Sequence, residues 1–232
     1  VCEAFGADPA RVRAVHHGLG WPGEPDAAPD RRVEPEGRVL AAELTTPAVT
    51  RYVLGLGTVE PRKDFPLLVR AFDRVAASRP DLGLVIAGPP GWGSAALDSA
   101  RAGARHRERI GLAGYVDGDV RAALLGGATV FAFPSVYEGF GFPPLEAMAA
   151  GVPVVTTAAG AVREVCGDAA LIVEVGDEDG FVAALEAAID SPGPELVARG
   201  RARAATFTWE RCAEGLAGLY ADAVAAGGSG RR

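Results

Sequence analysis

A chain of 232 residues is long for one compact domain and short for two, and its 49% hydrophobic and 23% charged residues can bury an ordinary globular core. A formal net charge of −7 excludes a nonspecific grip on nucleic acid, because no basic stripe is present to displace counterions. Any anion must therefore be held by a local site. Cys2, Cys166 and Cys212 are odd in number and widely spaced. They form neither a disulfide framework nor a metal-ligand pattern, and they point to a reducing cytoplasm. No apolar run approaches the ~20 residues that span a bilayer. No signal peptide precedes Val1, and the expectation is a chain that begins inside a longer protein.

In chain order, residues 1–20 read as the end of a helix, a turn at Gly6-Ala7-Asp8-Pro9, and a short strand "RVRAVHHG". The stretch 21–50 is rich in Pro, Gly and charge and has no sustained period, which predicts a linker or long surface loop. From Arg51 the rhythm changes. "RYVLGLG" is followed by a helix near Pro66 to Ser78, and then come "LGLVIAG" and "RIGLAGYV", the latter with a helix from Val120. "ATVFAFPS" leads to a helix after Phe142, "VPVVTT" to "AVREVCG", and "ALIVEV" to a helix from Glu178 to Ile189. Strands this uniformly apolar, alternating with helices, predict an α/β fold with a doubly wound parallel sheet covered on both faces. Ligands in such folds sit beyond the carboxyl ends of the strands. Residues 51–206 form this expected domain, 207–226 a helical tail capped by Thr208, and 227–232, "GGSGRR", a flexible end.

The strongest local signal is "SVYEGFGFPPLEAMAAG", residues 135–151. It places Glu138 at the carboxyl end of a buried strand and Pro143 at the start of a helix, where its missing N–H costs nothing. The backbone amides around Phe140, Gly141 and Phe142 would then face the crevice beside the positive end of the helix dipole, an anion site. Glu146 falls in the first turn, with Leu145 beside it. Singly, Glu146 reads as an acid complementing the dipole and Glu138 as a solvated loop residue; the combination with the glycines favours a ligand site. A second signal is "GLGTVEPRKDF", residues 55–65, in which Gly55 and Gly57 permit close backbone approach and Arg62-Lys63 precede a helix. It is not a G-x-G-x-x-G fingerprint. In a parallel sheet both loops emerge on the ligand face, and two cations meeting a helix amino end suit a diphosphate.

"GTVEPRKDFPLLVRAF", "LVIAGPPGWG", "SVYEGFGFPPLEAMAAGVPVV" and "GDAALIVEVGDEDGFVAALEAAI" together resemble the carboxyl-terminal, donor-binding domain of a retaining GT-B type glycosyltransferase of the large family 4, glycosyl transferases group 1. The resemblance runs from about Val12 to Ala225. It implies a Rossmann-like half of a GT-B fold. It implies that Glu138 contacts donor-sugar hydroxyls, Glu146 holds the ribose hydroxyls, and Arg62 and Lys63 neutralise the diphosphate. By the same resemblance Phe140, Gly141 and Phe142 reach sugar and phosphate through their amides, and Val116 meets the base. No cofactor and no metal is implied, only a nucleoside-diphosphate sugar of UDP, GDP or ADP type. Two departures matter. Thr58 stands where many relatives have arginine, and residues 1–20 match only the last helix and strand of an amino-terminal domain that would bind a glycan, lipid-linked or small-molecule acceptor.

Three readings follow. The leading one is the donor-binding half of a retaining hexosyltransferase, with GDP-mannose as the favoured donor, cytoplasmic and peripheral to the inner membrane face in its full-length form. The second is a catalytically silent nucleotide-binding scaffold of the same fold. The third, a hydrolase using the two glutamates as acid and base, needs a cleft free of nucleotide. Trp92 reads as a loop packing residue, Cys166 as a small core residue, and Glu164 as a dipole partner. His16 and His17 read as residues at a strand end.

Overall fold

The computed structural model describes residues 2–20, 34–47 and 49–228. In chain order its elements are α1 (Cys2–Phe5), α2 (Glu34–Glu43), β1 (Arg51–Leu56), α3 (Phe65–Val75), β2 (Leu82–Ala87), α4 (Ser94–Gly103), β3 (Ile110–Gly114) and α5 (Gly118–Gly127). They continue with β4 (Val130–Phe133), α6 (Phe142–Ala149), β5 (Val154–Thr157), α7 (Val162–Cys166), β6 (Leu171–Val173), α8 (Glu178–Asp190), α9 (Pro194–Ala204) and α10 (Trp209–Gly228). The chain divides into two compact units, residues 27–204 and residues 1–26 with 205–232.

The larger unit is the expected doubly wound α/β domain. Its six strands are parallel, in the order β3-β2-β1-β4-β5-β6. Every residue of β2 and of β4 is buried, as befits strands covered on both sides. α3 presents Leu68, Phe72 and Val75 to the sheet and packs with α4 and α8 over one face. α2, α5, α6 and α9 pack over the other. Across the exposed side of the α3–α8 seam, Arg70 pairs with Glu178 at 2.8 Å and Arg74 with Asp179 at 2.7 Å. Such exposed pairs add little individually. The chain builds β1, β2 and β3 outward in one direction, then returns to lay β4 on the other side of β1. That reversal opens a crevice at the carboxyl ends of β1 and β4.

In the smaller unit α10 is capped by Thr208, whose Oγ1 accepts from the Arg211 amide at 3.3 Å. Trp209 lies on Gly18, where a Cβ would come within 2.5 Å of the indole, and Leu19 donates its N–H to the Phe207 carbonyl at 2.7 Å. The rings of His16 and His17 rest on Phe207 and Trp209.

Two expectations are corrected. The segment 11–18 forms no strand: Arg11 ends the 3-10 turn Pro9–Arg11, which Asp8 caps, and residues 12–18 join no ladder among the described residues. The stretch 21–50 is not all linker or loop, because α2 occupies 34–43. Its Leu, Ala, Arg and Glu are good helix formers, and Gly37 and Ala41 bury a short contact stripe that is too narrow to announce itself as a period. The remainder of that stretch from Trp21 to residue 33, and the tail from 229, lie outside the described residues; residues 227 and 228 belong to α10.

At Gly37 the backbone of α2 touches α5: a Cβ there would collide with the Ala123 carbonyl oxygen. The Tyr52 hydroxyl donates to the neighbouring Leu124 carbonyl at 2.6 Å. Alanine ordinarily stabilises a helix interior over glycine by roughly 1 kcal/mol. Here Gly37→Ala is expected to destabilise instead, by about 1–3 kcal/mol of overpacking, measured by urea unfolding; a gain in stability would show that α2 does not seat on α5.

Candidate functional site

The site is built where the order of the strands reverses. β1 leaves the sheet through Gly57, whose φ of 144° suits glycine, and a Cβ there would lie 2.9 Å from Cε of Lys63. Pro61–Lys63 then form a 3-10 turn that ends at Asp64, which takes a left-handed φ of 44° and caps α3 by accepting from the Leu67 amide at 3.2 Å. Non-glycine residues enter that region at a cost, and such strain is held where the surroundings dictate it. The turn brings two cations back over the end of the strand that produced them.

β4 leaves the sheet beside β1 through Ser135 and the loop to Glu138. The two exits are stitched together, for the Val136 N–H donates to the Arg62 carbonyl at 2.8 Å. From the opposite side, the loop after β5 donates its Ala161 N–H to the Glu138 carbonyl at 3.2 Å. Gly160, at φ 55°, sits so close to that carbonyl that no side chain fits there. Glu138 is therefore fixed by its backbone before its side chain is considered.

Its side chain is fixed as well. Oε1 of Glu138 accepts from Lys63 Nζ at 2.7 Å, Arg62 Nη1 at 2.8 Å and Ser135 Oγ at 2.8 Å. Lys63 is 6% exposed and Glu138 9%. Burial depresses the Lys63 ammonium below its ordinary range, while the hydrogen bond and charge of Glu138 oppose that shift. Lys63 also stands 4.4 Å from the centre of the Phe133 ring, within cation–π reach. Arg62 is further braced by Glu60 at 2.8 Å and remains 43% exposed. Three donors share one oxygen of Glu138, and no buried side-chain oxygen or nitrogen lacks a partner among the described residues. Oε2 takes none of these bonds and is therefore not sealed from solvent.

α6 starts at the same place. Gly141 is its N-cap at φ 110°, and Phe142 its first residue, tilted against the Phe140 ring with centres 4.8 Å apart. Pro143 and Pro144 lack N–H groups, so two of the four donors at a helix start are absent here, and those of Gly141 and Phe142 carry the amino end. Glu146 is 6% exposed, and Arg121 of α5 grips both its oxygens. Burial pushes the Glu146 carboxyl above its ordinary range, against the charge and hydrogen bonds of Arg121.

The structure thus brings Arg62, Lys63, Gly57 and Glu138 together at the strand reversal and sets Phe140, Gly141 and Phe142 at the start of α6. Val116 stands half-buried at the exit of β3. Leu145 is fully buried at 0% and faces the core, so its side chain does not reach the crevice. Trp92, expected to pack within its loop, is 77% exposed. Two contributors were not foreseen. Ser135 ends the strand motif and could have been read from its place beside Glu138. Arg121 sits 25 residues before Glu146 on another helix, and only the packing of α5 beside α6 discloses it. Among the described residues no three His, Cys, Asp or Glu side chains gather as metal ligands do.

Residues 50–191 match the family model described as Glycosyl transferases group 1. The chain belongs to that family. Over 164 residues this member of the family is 37% identical to the O-antigen chain mannosyltransferase B of Escherichia coli, covering 69% of this chain and 43% of that protein. Over 232 aligned residues it is 32% identical to the D-inositol 3-phosphate glycosyltransferase of Mycolicibacterium paratuberculosis, covering 94% of this chain and 49% of the relative. The chain spans about half the length of the curated relatives it matches. Among solved structures, WaaG, a glycosyltransferase involved in lipopolysaccharide biosynthesis, superposes with a TM-score of 0.71 at 19% identity, over 93% of this chain and 58% of that one. Sucrose-phosphate synthase from Thermosynechococcus elongatus gives 0.65 at 25% identity, over 85% and 51%. The fold is that of one half of a GT-B glycosyltransferase.

Lys63→Met leaves Glu138 buried with one cation fewer. It is expected to destabilise the unit by about 3 kcal/mol, as breaking a buried pair does. Adding Glu138→Leu is expected to restore much of that loss. Urea unfolding of both variants checks the coupling, and additive losses would dissolve the pair.

Proposed function

We propose that the chain is the donor-binding half of a retaining glycosyltransferase, which transfers a sugar from a nucleoside diphosphate to an acceptor held by an amino-terminal domain. The observation that carries this reading is the meeting of Arg62 and Lys63 with Glu138 at the strand reversal, next to the amino end of α6. Cleaving a glycosyl diphosphate builds negative charge on the departing phosphate. Fixed cations and a helix amino end aimed there stabilise the transition state more than the ground state. The forked Arg62 suits two phosphate oxygens and Lys63 acts as a point charge. The diphosphate would enter beside Gly57, Gly141 and Phe142, with the base near Val116 and the ribose near Glu146.

Glu138 would orient the sugar. With Oε1 held by three donors, its Oε2 can accept a sugar hydroxyl, and positioning of that kind is worth several kcal/mol in rate. A carboxylate neutralised by two cations is a poor nucleophile, which favours orientation over attack. No metal is assigned a part in this scheme. The mannosyltransferase name of the 37% identical relative supports mannose as the sugar, and we take GDP as its carrier. The domain by itself would bind the nucleotide and transfer little.

Thermal melting with UDP, GDP and ADP tests the pocket. A ligand present at a hundred times its dissociation constant stabilises by about 2.7 kcal/mol, and the largest shift is expected with GDP. Arg62→Ala is expected to weaken binding of the diphosphate by roughly 10- to 100-fold, the worth of a charge-assisted hydrogen bond. Unshifted melting with all three nucleotides would remove the donor reading.

A further inference from the structure

We propose that Arg121 is a positioning residue of the donor site, clamping Glu146 so that the carboxylate stays ionised and turns its remaining acceptor sites to a vicinal diol, the ribose of the donor nucleotide. This rests on the donor reading above.

The geometry is specific. Nη1 of Arg121 donates to Oε1 of Glu146 at 3.0 Å and Nη2 donates to Oε2, a two-pronged grip. A carboxylate offers about four lone-pair sites. The fork consumes one on each oxygen and leaves one on each, in fixed directions. Two acceptors held a carboxylate's width apart match the two hydroxyls of a ribose. The partners differ in access: Glu146 has a 9% exposed side chain and Arg121 27%. Arg121 stands in the first turn of α5, just past the exit of β3 and its N-cap Asp117. It therefore approaches from the side on which strands and ligand meet.

The electrostatic need is equally plain. A carboxylate this deep loses hydration, and burial favours its neutral form. A neutral carboxyl is an ambiguous partner, donor on one oxygen and acceptor on the other, and accepts two hydroxyls poorly. Other charges near α6 are turned elsewhere. Arg199 donates to the Asp168 carbonyl and Arg203 to the Glu164 and Val165 carbonyls; Arg201 lies against Gly151, and Arg163 pairs with Glu174. Asp119 of α5 and Glu195 of α9 are exposed and share the sign of Glu146. The charge that acts on Glu146 comes from Arg121. A bare tie between α5 and α6 would need neither the fork nor the placement.

The experiment is calorimetric binding of UDP, GDP and ADP and of their 2′-deoxy counterparts to the chain between pH 5 and 8.5. For wild type, the nucleotide that binds is expected to outbind its 2′-deoxy form by about tenfold or more at neutral pH. That preference should fade on acidification, because the raised carboxyl becomes protonated as pH falls. In Arg121→Met the midpoint of the fade is expected to move up by about one pH unit or more. Arg121→Lys, charged but unable to fork, should sit between them. An unmoved midpoint in a folded Arg121→Met overturns the proposal. Should that variant not fold, a preference in Arg121→Lys equal to wild type at every pH overturns it. If wild type binds nucleotides without any ribose preference, this inference alone fails. If wild type binds none of the three, the donor reading itself has failed and the ribose role goes with it.

Discussion

The contact between Lys63 and Glu138 is the constraint around which the larger unit is arranged. It joins the loop leaving β1 to the loop leaving β4, strands adjacent in the sheet but separated in sequence by the whole of β2 and β3. An ammonium and a carboxylate, both nearly buried, are tolerable only as partners. Each fixes where the other's loop must lie. The backbone bond from Val136 to Arg62 repeats the link, so the crevice floor is set by the fold and does not await a ligand. Pre-set charge of this kind needs no rearrangement when phosphate charge develops.

That arrangement explains residue choices that otherwise look incidental. The stem of Lys63 runs over Gly57 because nothing larger than glycine leaves room beneath it. The carbonyl of Glu138 occupies the space a side chain at Gly160 would need. The left-handed Asp64 turns the chain from the cation-bearing turn straight into α3, so the strain lies one residue from Lys63 and is held by the cap it forms. Pro143 and Pro144 start α6 sharply and strip donors from its amino end, concentrating the positive pole on Gly141 and Phe142.

The fold was legible because its signals are local. Apolar runs such as "LGLVIAG" admit little besides a buried strand, and most were followed by a readable helix; α4, which follows "LGLVIAG" without a side-chain cap, was not. The Arg62-Lys63 pair and the two glutamates were legible for the same reason: they sit at strand exits, where a parallel sheet sends everything to one edge. What escaped was set by tertiary packing. α2 has too few buried positions to show a period, and its seat depends on a single glycine against α5. The segment 11–18 has the composition of a strand but no neighbour to pair with among the described residues. Leu145 carried the right neighbours in sequence, yet a helix turns successive side chains by about a quarter circle, so Leu145 points to the core while Glu146 meets Arg121.

The same logic separates the two glutamates. Glu138 is held by two cations from one loop, Arg62 and Lys63, both on the same oxygen. Glu146 is held by a cation from a helix, Arg121, which forks onto both of its oxygens. On the proposed donor reading, the first arrangement would link the carboxylate of Glu138 to the charge of a bound diphosphate through Arg62 and Lys63, the donors the two would share. The second grips a buried carboxylate by both oxygens and so fixes its direction. The two carboxylates are thus held from different parts of the sheet edge, Glu138 from the turn after β1 and Glu146 from α5, which follows β3 two strands away.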